Sequence, residues 1–511
     1  MEKERNNVYK IASILILLGV LITTFIYIKN HMYLRLNSDD SSELMLAKLL
    51  ADENALLTKN WYYSTELKVF NTNLIYPLIF RLTDNFLTVR MVSYLIIWAI
   101  LLVVYLLLCK VLNIKRNAII SASLLFVAFS DQYYAYVLST SHYLPFIIIS
   151  FLTIALLELY LDKKKTIYLI LSTILALLAG LGGPRQIVVT YLPLFITSAL
   201  IFYFNKGKDF PLLKFSTLNL LCSGIGYIIN IKVLFYIFSY QSYGGIHFAN
   251  FNVDRIWTII RGVITTFGFK DGYVFSFTLI VNAIAVIWIV LTIWAIYYGI
   301  KNRNGVDAKY SCYASFVLTA YITFILVYVF TDMGYADRYL LPVTILSIPL
   351  IVLFFQESEI NVLNDKKDIL SCLFILMVIV QGTSNLYDIS KEDINTERRT
   401  IIKTLQEEGY TNGYASFWNG NVLTELTNGD IEVWAFRDQD LNTIDSFDML
   451  FEWLQLKEHF VTKPSGKVFV LFTIEQYNNT PLNKYLDLDK VIYQSDNYIL
   501  FGYENYEEIG A

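Results

Sequence analysis

Two adjacent carboxylates, Asp39 and Asp40, directly follow the first long apolar run of the chain, and Glu43 lies three residues further on. The spacing of Asp40 and Glu43 is typical of a capping box, in which the Asp side chain accepts from free backbone N–H groups of a helix. That structural role does not account for Asp39, which precedes the predicted helix. A carboxylate held at a membrane boundary can act as general base on a hydroxyl group. Asp39 is therefore a candidate catalytic residue, with simple solvation in the loop as the alternative.

These acids belong to a long polar connection, residues 29–88, between the first two apolar runs. The segment "LNSDDSSELMLAKLLA" predicts a short amphipathic helix whose apolar side is suited to lying on the membrane surface. The rest of the connection predicts further surface helices. Tyr62 and Tyr63 within it are candidates for contact with a sugar ring, although tyrosines of this kind more often anchor at lipid headgroups.

Three basic residues are candidates for binding a phosphate group. Arg185 in "GLGGPRQ" follows paired glycines that allow close backbone approach, and Arg338 occurs in "GYADRYLLP". A guanidinium can donate two parallel hydrogen bonds to a phosphate. Lys232 lies within an apolar run and either lines a cavity or extends to the interface. The alternative for each is an interfacial anchor.

Other polar residues of the same connections suggest structural roles. For Arg338 the alternative is an ion pair with Asp337 or Asp332, and Arg261 resembles Lys232 in its surroundings. His142 and His247 lack metal-ligand spacing, and we interpret both as ordinary structural residues.

The composition indicates a polytopic membrane protein. The chain has 511 residues, of which 56% are apolar and 16% charged, and its mean hydropathy is +0.49. The net charge of −4 says little about partners, and the sequence has no pattern typical of nucleic acid binding. All four cysteines fall in or beside predicted spans, so the exported parts have no thiol for a disulfide.

Apolar runs predict about eleven transmembrane helices. They lie near residues 8–28, 89–109, 117–131, 141–161, 166–182, 186–204, 213–238, 273–299, 310–331, 339–356 and 368–386. Every second connection is rich in Lys and Arg, which predicts a cytoplasmic N-terminus and a retained first helix. An odd number of spans places the C-terminal segment outside.

The composition changes near residue 387, where charged residues return. The blocks "KVFVLF" and "VIYQSDNYILFGYE" predict short strands, and "ERRTIIKTLQEEG" predicts a helix. We therefore predict two parts: a transmembrane module over residues 1–386 and a small exported α/β domain over residues 387–511.

Taken together, the acid pair after the first span, the long first external loop, the late external "RYLLP" and the exported C-terminal domain resemble the GT-C superfamily of membrane glycosyltransferases. Its members include the aminoarabinose transferases and the protein O-mannosyltransferases. The resemblance covers the architecture of nearly the whole chain, and its motifs are short.

The resemblance implies roles for individual residues. By position Asp39 matches the acid that activates the acceptor hydroxyl, with Asp40 or Glu43 as the supporting acid, and Arg338 matches the late external arginine that binds the donor phosphate. The second acid is Asp where the family often has Glu, which leaves open whether Asp39 or Asp40 is the base. Some members use a divalent ion at this acid. This chain has no independent metal spacing, so we predict no required cofactor, with a divalent cation possible.

The predicted function is that of a glycosyltransferase. It would move a hexose or pentose from a polyprenyl-phosphate donor to a surface glycan, lipid or polymer acceptor, at the outer face of a bacterial cell membrane. A lipid phosphate is already a good leaving group, so one base and one or two guanidiniums suffice, and a single attack inverts the anomeric centre. The partners are the lipid-linked donor, the acceptor and membrane lipid, with no nucleic acid.

Three alternatives remain at the level of sequence. A transporter or flippase of a lipid-linked saccharide would favour pseudo-symmetric halves and charges near the middle of the membrane. A polysaccharide polymerase or ligase would favour a large external loop late among the spans. A noncatalytic scaffold that displays the C-terminal domain is the third.

Overall fold

Long apolar helices make up most of the first 389 residues. The computed structural model describes residues 2–509 with two exceptions. It does not describe the side chains of residues 2–6, nor residues 66, 68, 72–73, 241–246, 250, 272–277, 304 and 359–366. The helices of this part are α1 (Glu2–His31), α2 (Ser38–Asp52), α3 (Tyr76–Phe80), α4 (Phe86–Val111), α5 (Ala118–Ala122), α6 (Asp131–Tyr133), α7 (Leu144–Lys163), α8 (Thr166–Leu181), α9 (Leu192–Phe204), α10 (Phe210–Lys232), α11 (Val253–Thr266), α12 (Thr278–Lys301), α13 (Ala308–Phe330), α14 (Leu341–Ile345), α15 (Ser347–Glu357) and α16 (Lys367–Ile389).

The polytopic helical class is confirmed, while the number of spans differs from about eleven. Nine helices in the described part of the chain are long and apolar enough to cross a membrane. The predicted run 117–131 forms two helical pieces, residues 118–126 and 131–138, which meet at 84° and would make a tenth span if counted as one. The run 166–182 forms α8, which has 16 residues. At about 24 Å, such a helix is shorter than a typical hydrocarbon core of about 30 Å.

Close backbone approach joins α8 to α10. A Cβ atom at Gly180 of α8 would lie 2.0 Å from the carbonyl oxygen of Ser223, and one at Gly226 of α10 would lie 2.2 Å from that of Leu177. Only glycine allows the two backbones to meet at these positions, as in other membrane helix pairs. This contact fixes the end of α8, from which the segment carrying Arg185 begins.

The first connection contains the predicted helix, but its surroundings differ from the expectation. Helix α2 begins at Ser38, and the side chain of Asn37 caps it by accepting from the Asp40 backbone N–H at 3.1 Å. Assigning Asp40 to a capping box was therefore wrong. The apolar residues of α2 pack against protein on two sides: Leu44 lies in the core of the helix bundle, whereas Leu46 packs in a separate cluster with Trp61.

A small sheet also occurs where only surface helices were expected. Strand β1 (Trp61–Tyr63) pairs in parallel with β2 (Ser239–Tyr240) and antiparallel with β5 (Gln455–Leu456). The first connection, a later loop and the C-terminal segment thus share one sheet.

The C-terminal segment forms the predicted α/β domain. Its elements are α17 (Thr396–Glu408), β3 (Asn412–Ser416), α18 (Asn421–Leu426), β4 (Glu432–Phe436), β6 (Val468–Thr473), α19 (Ile474–Asn479), β7 (Val491–Gln494) and β8 (Tyr498–Tyr503). The main sheet has the strand order β4-β3-β6-β8-β7. Strand β3 is parallel to its neighbours β4 and β6, and β8 is antiparallel to its neighbours β6 and β7.

Helix α18 attaches this domain to α2. The Val422 backbone N–H donates to Ser38 Oγ at 3.3 Å, and Asn421 Nδ2 donates to Ser42 Oγ at 2.7 Å. One side of the first turn of α2 is therefore covered by the C-terminal domain, which leaves the remaining sides to face the helix bundle and its cavities.

Candidate active site

The three acids of α2 do not share one environment. Asp39 is exposed, whereas Asp40 and Glu43 are both 7% exposed. Residues three apart in a helix lie on the same side, while adjacent residues are separated by about 100°. The geometry of α2 thus directs Asp40 and Glu43 together into the protein and places Asp39 outside that direction.

His142, which lies shortly before α7, contacts both buried acids. Its Nε2 atom is 3.1 Å from Asp40 Oδ1, and its Nδ1 atom is 2.7 Å from Glu43 Oε1. The three side chains are 13%, 10% and 9% exposed for His142, Asp40 and Glu43. Our interpretation of His142 as an isolated structural histidine did not foresee this contact, because the two acids are about a hundred residues away in the sequence.

Asp40 lines a cavity of about 230 Å³, which we call the Asp40 cavity. At one of its edges the guanidinium of Arg35 pairs with Glu392 at 2.8 Å. Arg35 was not among the predicted site residues, although it lies between the first span and the acids. The lining residues are Met32, Arg35, Leu36, Asn37, Asp40, Tyr134, Ala135, Tyr136, Ser139, Thr140, Glu392 and Ile394.

Arg338 reaches this cavity through Tyr136. Its Nη1 atom donates to the Tyr136 hydroxyl at 3.0 Å, and its guanidinium lies 5.0 Å from the centre of the Tyr136 ring. The ion pairs considered from sequence do not form among the described residues, because Asp337 accepts from Thr265 and Asp332 accepts from the His247 backbone. Arg338 is therefore held by aromatic rings beside the cavity.

Arg185 contacts the same aromatic ring as Arg338. Their guanidinium carbons are 4.9 Å and 5.4 Å, respectively, from the centre of the same Tyr339 ring. Arg185 also packs over the rings of Tyr143 and Phe146, at 5.2 Å from each. Cations over aromatic faces are stabilised by the ring quadrupole, so these rings stabilise both guanidiniums.

Glu43 lines a different, smaller cavity of about 50 Å³, which we call the Glu43 cavity. Tyr63 is in its lining, but the Tyr63 hydroxyl is engaged with the backbone N–H and carbonyl of Thr58, both at 3.0 Å. The lining residues are Ser42, Glu43, Leu46, Leu50, Leu56, Leu57, Tyr63, Ser64, Leu74 and Leu454.

Tyr62 and Lys232 lie apart from the two cavities. The Tyr62 ring packs against Phe460 at 4.7 Å, and the Lys457 ammonium lies 5.2 Å from the centre of that ring. Burial and nearby Glu452 raise the pKa of Tyr62 above its ordinary value. Lys232 is exposed at the last residue of α10 and lines neither cavity. The structure therefore joins Tyr62 to the C-terminal domain and does not bring Lys232 to the acids.

A buried ion pair also holds α2. The Arg90 side chain donates to both carboxylate oxygens of Glu425, at 2.5 Å and 2.7 Å, and also to the backbone carbonyl of Asp40 at 2.7 Å. Neither side chain of the pair is exposed. An arginine within a predicted span indicates that a partner exists, but nothing in the sequence identifies that partner as Glu425, more than 300 residues away.

The described side chains form no cluster of the kind that holds a metal through protein ligands alone. No group of three or more His, Cys, Asp or Glu residues among them could hold a metal ion. Both ring nitrogens of His142 lie near carboxylate oxygens of Asp40 and Glu43. We assign no step of the reaction to a metal.

Comparison with solved structures identifies the fold. ArnT from Cupriavidus metallidurans, solved in the apo state, superimposes with a TM-score of 0.61 over 97% of this chain and 98% of its own, at 8% sequence identity. The oligosaccharyltransferase of Archaeoglobus fulgidus matches more loosely, with a TM-score of 0.45, 12% identity and coverage of 90% of this chain and 70% of its own. No family model and no curated protein sequence matches the chain.

The chain thus has the fold of ArnT along nearly its whole length. The predicted architecture, a helical membrane module with a C-terminal sheet domain, is confirmed.

Proposed function

We propose that this protein transfers a sugar from a polyprenyl-phosphate donor to a hydroxyl group of a surface glycan, lipid or polymer, at the outer face of a bacterial cell membrane. The N-terminus would then be cytoplasmic and the C-terminal domain extracellular. The shared fold with ArnT, an aminoarabinose transferase, supports a glycosyl transfer role. The sugar is a hexose or pentose, and the anomeric centre is inverted.

One observation carries the proposal: a buried carboxylate and a guanidinium line a single cavity, and a second guanidinium is bonded to a tyrosine of the same lining. Asp40 and Arg35 line the Asp40 cavity. Tyr136, also in the lining, accepts a hydrogen bond from Arg338. A base near cations can deprotonate an acceptor while charge develops on a leaving phosphate.

We assign the base role to Asp40. The resemblance left Asp39 and Asp40 as alternatives, and the two side chains now differ in position: Asp40 is buried at the cavity, whereas Asp39 is exposed. A buried carboxylate at a partly dehydrated site interacts more strongly with a substrate hydroxyl than a solvated one. Glu43 supports Asp40 through His142.

Arg338 and Arg185 are the proposed phosphate ligands. Both guanidiniums contact the Tyr339 ring, and a guanidinium can donate two parallel hydrogen bonds to a phosphate. Arg35 is a third candidate from the cavity lining. Lys232 and Tyr62, which line neither cavity, are assigned no contact with the reacting groups.

The test uses the purified protein in proteoliposomes with a panel of radiolabelled polyprenyl-phosphate hexoses and pentoses and an extract of surface glycans and lipids as acceptor. The proposal predicts that label leaves one of the donors and enters an acceptor only when the protein is present. Movement of an intact donor between leaflets, without consumption, would instead establish the flippase alternative.

A further inference from the structure

Two lining residues of the Asp40 cavity form an ion pair with each other. Arg35 Nη2 lies 2.8 Å from Glu392 Oε2, and both residues line this cavity. We propose that Glu392 competes with the lipid phosphate for Arg35, and that this competition promotes release of the polyprenyl phosphate after transfer. This inference rests on the proposed function and adds Glu392, as a competing anion, to the same site.

The backbone segments that carry the pair are fastened to each other. Glu392 lies in the connection between α16 and α17. In that connection, the Ile394 backbone N–H donates to the carbonyl of Leu34 at 3.0 Å, and Asn395 Nδ2 donates to that of Leu36 at 2.8 Å. These two carbonyls belong to the residues directly before and after the arginine. The two side chains can therefore separate and meet again while their backbones stay in place.

The exposure of the two side chains makes the carboxylate the partner that can be displaced. The Glu392 side chain is 54% exposed, whereas that of Arg35 is 30% exposed. A carboxylate that is more than half exposed can return to water when another anion takes its place. Ion pairs of this kind contribute little net free energy. A phosphate in the Asp40 cavity can therefore replace Glu392 at Arg35 with a small loss, and a guanidinium can donate two parallel hydrogen bonds to it.

The charge on the phosphate changes during the proposed reaction. The acceptor oxygen forms a bond to the anomeric carbon while the bond from that carbon to the phosphate oxygen breaks. The phosphate keeps the electron pair, and the acceptor proton moves to Asp40. The donor is a singly charged phosphodiester, whereas the product is a phosphate monoester with a charge of about −1.5 to −2 at pH 7.

This change gives a competing carboxylate its use. Guanidiniums that bind the donor hold the more highly charged product more strongly. Product release often limits the turnover of enzymes. Because Glu392 stays next to Arg35, it can take the guanidinium back from the product phosphate, which lowers the affinity of the site for polyprenyl phosphate.

The experiment measures equilibrium binding of radiolabelled polyprenyl phosphate to the full-length protein in proteoliposomes. It compares the unaltered protein, Glu392→Gln, Arg35→Gln and the double variant, each checked for folding by thermal unfolding in detergent. Asp52→Asn is the matched control. Asp52 pairs with Lys48 at 2.7 Å, the exposures of Lys48 and Asp52 are 36% and 56%, and Asp52 lines neither cavity.

We expect Glu392→Gln to bind polyprenyl phosphate about two- to fivefold more tightly, which is the size of effect typical of partly exposed ion pairs. Asp52→Asn should bind it as the unaltered protein does. In the Arg35→Gln background, replacement of Glu392 should leave the affinity unchanged, because the carboxylate no longer has a guanidinium to compete for. Unchanged or weaker binding by Glu392→Gln, an equal gain in Asp52→Asn, or an equal gain in the Arg35→Gln background would overturn the inference.

The transfer assay separates failure of this inference from failure of the proposed function. With the radiolabelled donor that the unaltered protein consumes, added polyprenyl phosphate should inhibit Glu392→Gln at correspondingly lower concentrations. Turnover whose inhibition by polyprenyl phosphate does not depend on Glu392 would overturn the inference alone. If the unaltered protein consumes no donor and binds no polyprenyl phosphate, the proposed function fails, and the inference fails with it.

Discussion

Two ionic clusters adjoin α2, and they differ in what surrounds their charges. In the first, Arg90 donates to both carboxylate oxygens of Glu425 and to the backbone of Asp40, with both side chains fully buried. In the second, Asp40 and Glu43 contact His142, and each of the two acidic residues also lines a cavity. We call the first cluster closed and the second open, because only the second includes cavity-lining residues.

The contrast shows how the same residue types serve structure and chemistry. A buried pair in which both carboxylate oxygens already accept from the arginine holds α2 against the C-terminal domain and offers no open position to a substrate. Carboxylates that face a cavity retain the capacity to accept a proton from a bound molecule. Burial alone therefore does not distinguish the reactive acids from the structural ones. A position in the lining of a cavity does distinguish them.

The largest stability effect is expected at the closed cluster. Replacing Arg90 by Ala leaves the Glu425 carboxylate buried without its partner, which costs about 3–5 kcal/mol in comparable pairs. Thermal unfolding in detergent should show a clear decrease in the midpoint. Simultaneous replacement of Arg90 by Met and Glu425 by Leu removes both charges and should cost much less; equal losses in the two proteins would contradict the role of the pair.

A smaller effect is expected for the arginines near the open cluster. Arg338→Ala removes one proposed phosphate ligand and should weaken donor binding by about 10- to 100-fold, the value of a charge-assisted hydrogen bond of roughly 1.5–3 kcal/mol. Equilibrium binding of a radiolabelled polyprenyl-phosphate sugar measures this change.

Arg261 provides the matched control for Arg338. It pairs with Asp271, but the two side chains are 75% and 86% exposed. Exposed pairs of this kind contribute little, so Arg261→Ala should leave donor affinity within about twofold. Equal losses in Arg338→Ala and Arg261→Ala would mean that the tyrosine-held arginine has no special function.

The smallest effect is expected from removing divalent cations. Since the described acids and histidines form no metal-binding group, dialysis against EDTA should change the transfer rate by less than about twofold, compared with the factors of about 10² or more that metal catalysis supplies where it operates. Loss of activity on chelation, restored by added Mg²⁺ or Mn²⁺, would show that a cation enters the open cluster when substrate binds.

The architecture could be predicted because its signals are local. Hydrophobic runs of sufficient length and the alternation of strand patterns in the C-terminal segment depend only on neighbouring residues. The errors arose where tertiary context decided the outcome. The run 117–131 bends because its helix stops at Phe126 and restarts at Asp131. Strand β1 forms because β2 and β5 are present to pair with it.

The site was only partly accessible from sequence for the same reason. The acid pair and Arg338 could be named from position and motif, but their relative placement could not. His142 and Glu425 are brought to α2 by packing between distant segments, which neither periodicity nor spacing reveals. Asp39 and Asp40 are adjacent in the sequence, so their side chains point in different directions if both lie in the helix. The structure shows that both do, because Asn37 caps a helix that begins at Ser38.

The central claim, that Asp40 at the cavity is the base, is tested most directly by transfer rates of the unaltered protein, Asp39→Asn and Asp40→Asn in the same proteoliposomes with the same radiolabelled donor. We expect Asp40→Asn to lower kcat by about 10² to 10⁴ with donor affinity unchanged, while Asp39→Asn retains most of the activity. The reverse order, with Asp39→Asn inactive and Asp40→Asn active, would contradict the account.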